Sequence, residues 1–476
     1  MRRVVIAGMI GNGLEWYDFA LYGYFAPLIG KLFFPGDNPD AQMLSAYGVF
    51  AAGFLVRPLG AILFGYLGDR YGRRVSLTIS MFMMGIPTAL MGMLPTYQSI
   101  GILAPILLTL VRLVQGVSLA GQFSGSITFI VEHTPAGKRG LAGSSTIMSL
   151  CGGMLAGLLV ATVMSTVLSE QEFESWGWRV PFVMGLIIGM VGYYIRHKTH
   201  ESPHYIKAKE EGKLSSTPIR HTFRDHTKEL LRGIGIYLSV TVPFYTLTVY
   251  LNGYMQQTLG YTLGRTYIID TVSMLLMIVL MPLTAHLTDK VGRKPVLMWT
   301  CVGYFFAAFP IFFLLSFGSF CSTLAAVVLL TVAVSFYGGA VPALLVELFP
   351  TNIRYTGMSI AYNVAAVVGG FTPWVETKLA RLVAVDTRIA LHSYFMVCVI
   401  AAFCVFQMRH EFRLKGLKRF TWTAGILGVI ALVMGLWFIK QGHIDTILVA
   451  LYIMLCSVLS FVSFFHYHDS YKEELM

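Results

Sequence analysis

Residues 65–74 read GYLGDRYGRR, and a related stretch, AHLTDKVGRK, occupies residues 285–294. Each stretch contains an aspartate followed by a basic residue, any residue, glycine, arginine and a second basic residue. A further pair follows in the same order, because EHTPAGKRG begins at Glu132 and ELFPTNIRYTG begins at Glu347. Two polar signatures that recur in one order predict a chain built from two halves of the same architecture.

The composition is typical of a membrane protein. Hydrophobic residues make up 56% of the 476 residues and charged residues only 12%, whereas a soluble domain normally carries about 25% charged residues. Apolar runs long enough to cross a bilayer predict fourteen helical spans. These spans run at about 4–29, 41–67, 75–95, 100–130, 141–167, 179–195, 231–256, 266–288, 295–316, 320–348, 356–377, 389–408, 420–439 and 444–466.

The basic residues predict the orientation of these spans. The net charge is +11, and with a cytoplasmic N-terminus most lysines and arginines fall on cytoplasmic loops, as the positive-inside rule requires. This distribution explains the basic balance without a nucleic-acid partner. We therefore expect a multi-pass protein of the cell (inner) membrane, in contact with the lipid bilayer, with both termini in the cytoplasm.

A polar segment separates two sets of six spans and predicts the domain organisation. We predict an N-terminal six-helix bundle over residues 1–196, a solvated cytoplasmic linker over 197–230 and a C-terminal six-helix bundle over 231–410. Residues 411–476 are predicted to form an additional transmembrane hairpin and a short cytoplasmic tail. We expect a monomer, with the hairpin as the surface for a dimer if one forms.

The repeated motifs predict contacts between the two halves. At a membrane edge, Asp69 and Asp289 can accept hydrogen bonds from the N-terminus of an adjoining helix, where the helix dipole favours negative charge. Small Gly65 allows close helix approach, and we expect the motif arginines to stay at the lipid headgroup level. The predicted gating residues, which latch the halves together on the cytoplasmic side, are Gly65, Asp69, Arg70, Gly72, Arg73, Arg74, Glu132, Arg139, Asp289, Gly292, Arg293, Glu347 and Arg354.

These motifs resemble a known transporter family. GYLGDRYGRR is similar to the loop 2–3 signature of the major facilitator superfamily, and DKVGRK is similar to its weaker loop 8–9 copy. GNGLEWYDFALYG, RPLGAILFGYLGDRYGRR, RLVQG and YNVAAVVGG together resemble the superfamily's metabolite:proton symporters, which include proline/betaine, α-ketoglutarate, citrate and shikimate carriers. The resemblance implies an all-α membrane fold of two pseudo-symmetric six-helix bundles, a central substrate cavity and alternating access.

Charged residues inside the predicted spans indicate the coupling site. Glu15 and Asp18 share one face of the first span, and Arg57 and Arg112 reach a similar depth in the second and fourth spans. Each charge at a helix centre costs roughly 2.5–3.5 kcal/mol on insertion scales, and such groups commonly line a transport pathway. We predict that Asp18, paired with Arg57, is the proton-coupling carboxylate, with Glu15 as second choice.

One departure from the family pattern bears on proton coupling. Many relatives carry Gly-Gly-Glu late in the fourth span, whereas this chain reads Ala120-Gly121-Gln122. Because glutamine cannot titrate, any proton role of that glutamate does not transfer to Gln122, and a facilitated uniporter of a polar metabolite stays an alternative.

The remaining polar groups predict the substrate. Aromatic faces suit a quaternary ammonium and arginines suit a carboxylate, so a small zwitterion of the proline or betaine type is expected. A di- or tricarboxylate or another organic acid is the alternative. The predicted substrate-binding residues are Asn12, Tyr22, Arg112, Gln115, Gln122, Tyr245, Tyr250, Asn252, Tyr337, Tyr362 and Asn363.

Other classes of protein fit the sequence less well. It shows no phosphate-binding loop, nucleophile elbow or metal-ligand spacing, so we expect no enzymatic activity, no cofactor and no metal. A channel is disfavoured by the two homologous halves with latch motifs. A non-transporting membrane sensor is the alternative from a different class, and it would bind its ligand without flux.

Overall fold

The computed structural model describes residues 2–36, 38–197, 200–383, 447–464 and 467–475, and these residues are helical almost throughout. The first half contains α1 to α9 and the second half begins at α12. The helices are α1 (Arg2–Phe33), α2 (Pro39–Leu55), α3 (Arg57–Arg70), α4 (Arg73–Met93), α5 (Tyr97–Ile100), α6 (Leu103–Glu132), α7 (Arg139–Val167), α8 (Glu170–Glu172), α9 (Arg179–His197), α10 (Pro203–Glu210), α11 (Pro218–Asp225), α12 (Thr227–Tyr245), α13 (Leu251–Gln257), α14 (Leu263–Val291), α15 (Arg293–Ser316), α16 (Phe320–Glu347), α17 (Arg354–Val383) and α18 (Ile447–Ser463).

The long helices coincide with the predicted spans. Nine helices within the described ranges are long and apolar enough to cross a membrane. The second span is divided into α2 and α3 at Val56, where Pro58 lies in the first turn of α3 and lacks the N–H group of a continuous helix. The seventh span changes from α12 to a π-helical turn at Thr246–Tyr250 before α13. The predicted spans 389–408 and 420–439 lie outside the described residues.

The two halves repeat their packing. In the first half, α9 packs against α1 and α4, and in the second half α18 packs against α12 and α15. Helix α18 therefore occupies the position in its half that α9 occupies in the other. The hairpin predicted within residues 411–476 stays a prediction, because its first span lies outside the described residues. The domain boundary at residue 410 stays a prediction, because the preceding chain is outside the described ranges.

The halves meet along two equivalent pairs of helices. Helix α3 packs against α17, and α7 packs against α14. Gly65 permits the first contact, because a Cβ atom there would lie 2.7 Å from the Cα atom of Thr356. The close approach of these helices places the ends of α3 and α14 directly against the first turns of α17 and α7.

Candidate functional site: a charged latch and a central cavity

The end of α3 is fixed to the start of α17 by the Asp69 carboxylate. Asp69 accepts hydrogen bonds from the backbone N–H groups of Tyr355 and Thr356, at 3.1 and 2.8 Å. These are unsatisfied N–H groups of the first helical turn, where the dipole favours an anion. Because Asp69 belongs to the first half and α17 to the second, this contact holds the halves together.

The same contact recurs with the halves exchanged. Asp289, near the end of α14, accepts hydrogen bonds from the backbone N–H groups of Gly140 and Leu141, at 2.8 and 2.9 Å. These residues form the first turn of α7. We call the side of the molecule that carries Asp69, Glu132, Asp289 and Glu347 the latch face.

Ion pairs within and between the halves surround both contacts. Arg354 lies 2.9 Å from Glu132, and Glu132 also contacts Arg73 at 3.2 Å. On the equivalent side, Glu347 pairs with Arg293 at 2.7 Å and with Arg139 at 3.7 Å.

Arg73, Arg293 and Arg354 are buried between helices, and their depth at the lipid headgroup level stays a prediction. Each approaches a carboxylate, and buried carboxylates need cations beside them because an uncompensated buried charge is costly. The arginines therefore belong to the interface between the halves.

The other predicted gating residues lie beside the contacts between the halves and form turns or local hydrogen bonds. Gly72 and Gly292 have φ values of +115° and +99° and form the equivalent sharp turns before α4 and α15. Arg70 is exposed and donates to the Tyr66 hydroxyl and the Ser216 carbonyl. The backbone N–H of Arg74 donates to the Glu201 carboxylate.

Two latch residues were missed by the sequence analysis. Glu201, after α9, accepts from the backbone N–H groups of Arg73 and Arg74 at the start of α4. Asp469, after α18, accepts at 2.8 Å from the backbone N–H of Lys294 at the start of α15. The acidic residue that follows α9 and the one that follows α18 thus cap equivalent helices of the two halves. The linker is therefore partly docked, since Ser202 and Tyr205 are buried, although it was predicted to be solvated.

A small cavity lies between the two halves. Its volume is about 30 Å³, room for about two water molecules. The rings of Trp16 and Phe244 meet across it with centroids 5.9 Å apart. The lining residues are Trp16, Ile147, Leu150, Tyr237, Val240, Thr241, Phe244, Tyr245, Met281, Val334, Tyr362 and Ala366.

The structure pairs Asp18 with Arg112 and not with Arg57. Arg112 donates to Asp18 at 2.7 Å, and Gln115 donates to the second carboxylate oxygen at 3.1 Å. The Arg112 guanidinium also lies 3.8 Å from the centroid of the Tyr22 ring. The predicted ion pair was wrong because α6, not α3, faces Asp18 in the first half.

Arg57 faces the boundary between the halves. Its guanidinium donates to the Tyr362 hydroxyl at 2.9 Å and lies 5.2 Å from the centroid of the Phe54 ring. Glu15 is fully buried, and within the described structure neither of its carboxylate oxygens has a hydrogen-bond partner. Its charged neighbours are Arg57 and Asp18.

The other predicted substrate residues are dispersed. Of that set, Tyr245 and Tyr362 belong to the cavity lining. The rest make contacts within or between the helices. The side chains that donate hydrogen bonds are Asn12 (to Thr146 and Ser149), Tyr22 (to Ala46), Asn252 (to Thr248), Tyr337 (to Ile236) and Asn363 (to Ala120). Gln122 accepts a hydrogen bond from Ser80. Tyr250 is buried in the π-helical turn.

Several site residues were not predicted from the sequence. Trp16, Tyr237 and Phe244 line the cavity. Trp16 lies between Glu15 and Asp18 in the sequence, and this position could have identified it as a candidate for the site. Glu376 and Asp270 are also buried, and an acid within an apolar span was the signal for both.

Comparisons with known proteins agree with this architecture. The Major Facilitator Superfamily profile matches residues 9–373. The glycine betaine/proline/ectoine/pipecolic acid transporter OusA of Dickeya dadantii is 35% identical over 84% of this chain and 81% of its own length. The proline/betaine transporter of Escherichia coli K12 is 34% identical over the same shares.

A solved structure shares the fold at low sequence identity. The proton:xylose symporter XylE bound to 6-bromo-6-deoxy-D-glucose aligns with a TM-score of 0.67 at 18% identity, over 92% of this chain and 95% of that one. The profile match and the curated relatives together show that this chain belongs to the major facilitator superfamily of secondary transporters.

Proposed function

We propose that the protein carries a small zwitterionic solute of the proline or betaine class together with a proton, by alternating access across the inner membrane. The supporting observation is the composition of the cavity, whose lining is largely aromatic and whose Tyr362, among the described residues, accepts a hydrogen bond from Arg57. Trp16, Phe244 and Tyr245 offer ring faces to a quaternary or secondary ammonium. Arg57, held by Tyr362, offers a donor to a carboxylate. The curated relatives named for proline and betaine transport support the same class.

The arginines favour a zwitterion over a di- or tricarboxylate. Arg112 is engaged with Asp18 at 2.7 Å, so it is not available to a second substrate carboxylate. Among the described residues, Arg57 is the cation that contacts the cavity lining. One available cation matches one carboxylate, and a citrate-like substrate would need further positive charge to compensate its burial.

We assign the proton-coupling role to Asp18, with Glu15 as the next candidate. Protonation of Asp18 would weaken its bonds to Arg112 and Gln115, and Gln115 in turn donates to Thr88. One proton therefore changes contacts among α1, α4 and α6. Glu15 makes no hydrogen bond in the described structure that protonation would break.

The latch face is proposed to be cytoplasmic, with both termini on that side. The charged latch is closed in this conformation, so the substrate reaches the cavity from the opposite face. Opening the latch would require the breaking of the two aspartate–helix contacts and of the ion pairs around them. This requirement links substrate release to a change at a few defined charged residues.

Transport in proteoliposomes tests the proposal. If a zwitterion enters with one proton, each cycle moves one positive charge, and the potential contributes about 2.3 kcal/mol per 100 mV. That energy corresponds to a roughly fiftyfold accumulation. Proline and glycine betaine should accumulate under an inside-negative potential, whereas citrate and mannitol should not.

The alternatives give different results in the same assay. Accumulation of citrate would identify an organic-acid symporter. Equilibration of the substrate that is independent of both the pH gradient and the membrane potential would identify a uniporter. Binding of the substrate without flux would identify a sensor. Asp18→Asn should abolish accumulation but retain exchange, since exchange needs no net protonation change. If it still accumulates substrate while Glu15→Gln does not, the coupling role belongs to Glu15.

A further inference from the structure

Glu376 is a buried carboxyl group outside the site described above. It lies on α17, on the helical stripe that also carries Tyr362, Ala366 and Gly369 toward α12. It is 22 residues beyond Arg354, so at 1.5 Å per residue it lies about 33 Å from the latch end of the helix. Its side chain is fully buried.

The groups that face Glu376 are uncharged in the described structure. Thr246, from the π-helical turn after α12, lies 2.6 Å from its Oε1 atom. Tyr452 and Cys456 face it from α18, and Lys378 on its own helix is exposed. In the part of the chain that the structure describes, the Oε2 atom is buried without a hydrogen-bond partner. No cation within the described ranges forms an ion pair with this carboxyl group.

Counting hydrogens indicates which form of the acid fits this site. The Thr246 hydroxyl oxygen lies 2.9 Å from the Val242 carbonyl oxygen and 2.6 Å from Glu376 Oε1. A hydroxyl group has one hydrogen to donate and can accept through its lone pairs. When that hydrogen goes to Val242, the short second contact requires a hydrogen from the carboxyl group. A protonated Glu376 satisfies both contacts, and an ionised one leaves two oxygens competing for one donor.

The burial of the Glu376 carboxyl group also favours its protonated form. An ionised carboxylate without a cation costs several kcal/mol in a membrane interior, whereas its neutral acid with one hydrogen bond costs far less. Gly369 keeps α17 tightly against α12, since a Cβ atom there would clash with the Thr241 hydroxyl group. Glu376 itself has no solvent-exposed surface in the described structure.

We propose that Glu376 is a second proton-binding site, in the second half of the transporter, that holds a proton in this latch-closed conformation and releases it when α12 and α17 separate. The π-helical turn supports this assignment, because such turns concentrate at functional sites and are places where a helix changes its register. A shift there would carry Thr246 away from the acid and admit water. The transport consequence rests on the proposed function, while proton binding itself does not.

Infrared difference spectroscopy of the purified full-length protein tests the binding step. The protein is titrated from about pH 5 to about pH 9, and the carbonyl stretching band of protonated carboxylic acids is followed. Wild-type protein should show a band that disappears in Glu376→Gln, which is neutral and nearly the same shape. Thr246→Val should shift this band, because it removes the hydrogen-bond partner. Thr377→Val, an exposed change on the same helix, should leave it unaltered.

The exchange rate of the same variants tests the role in the cycle. Wild-type exchange should fall at alkaline pH as the acid form of Glu376 is depleted, and Glu376→Gln should lose this alkaline decline. A Glu376→Gln variant that keeps both the full band and the wild-type pH profile overturns the proposal. Loss of the band with an unchanged profile overturns the role in transport alone. Absence of zwitterion transport by wild-type protein overturns the proposed function, and the infrared result still decides whether Glu376 binds a proton.

Discussion

Asp69→Asn is expected to open the latch face without unfolding the protein. The carboxylate accepts two backbone hydrogen bonds at 3.1 and 2.8 Å and lies 3.0 Å from Arg73. Asparagine has nearly the same shape but offers one neutral acceptor, and it turns an NH₂ group toward the other N–H. Arg73 keeps its second partner, Glu132, so the substitution does not leave an isolated buried cation.

The size of the effect follows from those bonds. Hydrogen bonds to a charged group contribute about 1.5–3 kcal/mol each, roughly twice a neutral bond. Replacing two of them by one neutral bond should destabilise the closed latch by about 3 kcal/mol. The open population should then rise roughly a hundredfold. Within each half, the ion pair between Asp69 and Arg73 is the contact that weakens, and Arg73 keeps Glu132. The thermal stability of the folded protein should therefore change little.

A buried cysteine reports this shift. Ser359 contacts Ser124 across the two halves at 3.1 Å and is fully buried beneath the latch. In a parent that lacks the six native cysteines, Ser359→Cys should react slowly with a membrane-impermeant thiol reagent at the latch face. Asp69→Asn should accelerate labelling roughly a hundredfold, since the rate follows the open population.

A matched exposed variant controls for general loosening. Arg70→Gln changes an exposed neighbour that contacts Tyr66 and Ser216, and it should label at the parent rate. If Asp69→Asn also labels at the parent rate while melting normally, the aspartate–helix contact does not hold the latch closed.

Two further predictions use the same chain. Asp18→Ala alone should reduce exchange more than Asp18→Ala combined with Arg112→Ala, because the single change leaves Arg112 buried without its anion. Asp18→Ala combined with Arg57→Ala should show no such rescue. Equal rescue by Arg112→Ala and Arg57→Ala would contradict the observed pairing. Glu201→Gln removes the anion that caps the first turn of α4, a contact of about 1 kcal/mol. Labelling of Ser359→Cys should then rise roughly fivefold, and Asp469→Asn should give a similar rise. No rise in either variant would show that these caps do not support the latch.

The spans and the latch motifs were accessible from the sequence because each contrasts with its surroundings. The span predicted at 141–167 is observed at Arg139–Val167, since a long apolar run has few alternatives to a helix in a membrane. Asp69 and Asp289 were found because the motif that contains each of them recurs in the other half of the sequence. Their hydrogen-bond donors are backbone N–H groups, which every helix start provides, so these contacts could be expected without knowledge of a particular partner residue.

The packing of residues distant in sequence was less accessible. Helix α18 could not be assigned to the sixth position of the second half from its composition, because any apolar span is compatible with several positions in a bundle. Asp469 and Glu201 looked like ordinary charges of a tail and a linker. Their roles depend on where the preceding helix ends in space, and the sequence contains no direct record of that position.

The partner of Asp18 shows why depth alone does not define a site. A rise of 1.5 Å per residue placed Arg57 and Arg112 at similar depth, but the direction of each side chain depends on how its helix is rotated against its neighbours. The structure turns Arg112 toward α1 within the first half and Arg57 toward α17 in the second. Neutralising Asp18 therefore alters contacts inside one half, whereas moving Arg57 alters a contact between halves. These two changes are separable. Protonation of Asp18 is therefore expected to affect the latch through repacking of α1, α4 and α6. The double variants with Arg112→Ala and Arg57→Ala should distinguish this indirect effect from a direct contact between Asp18 and Arg57.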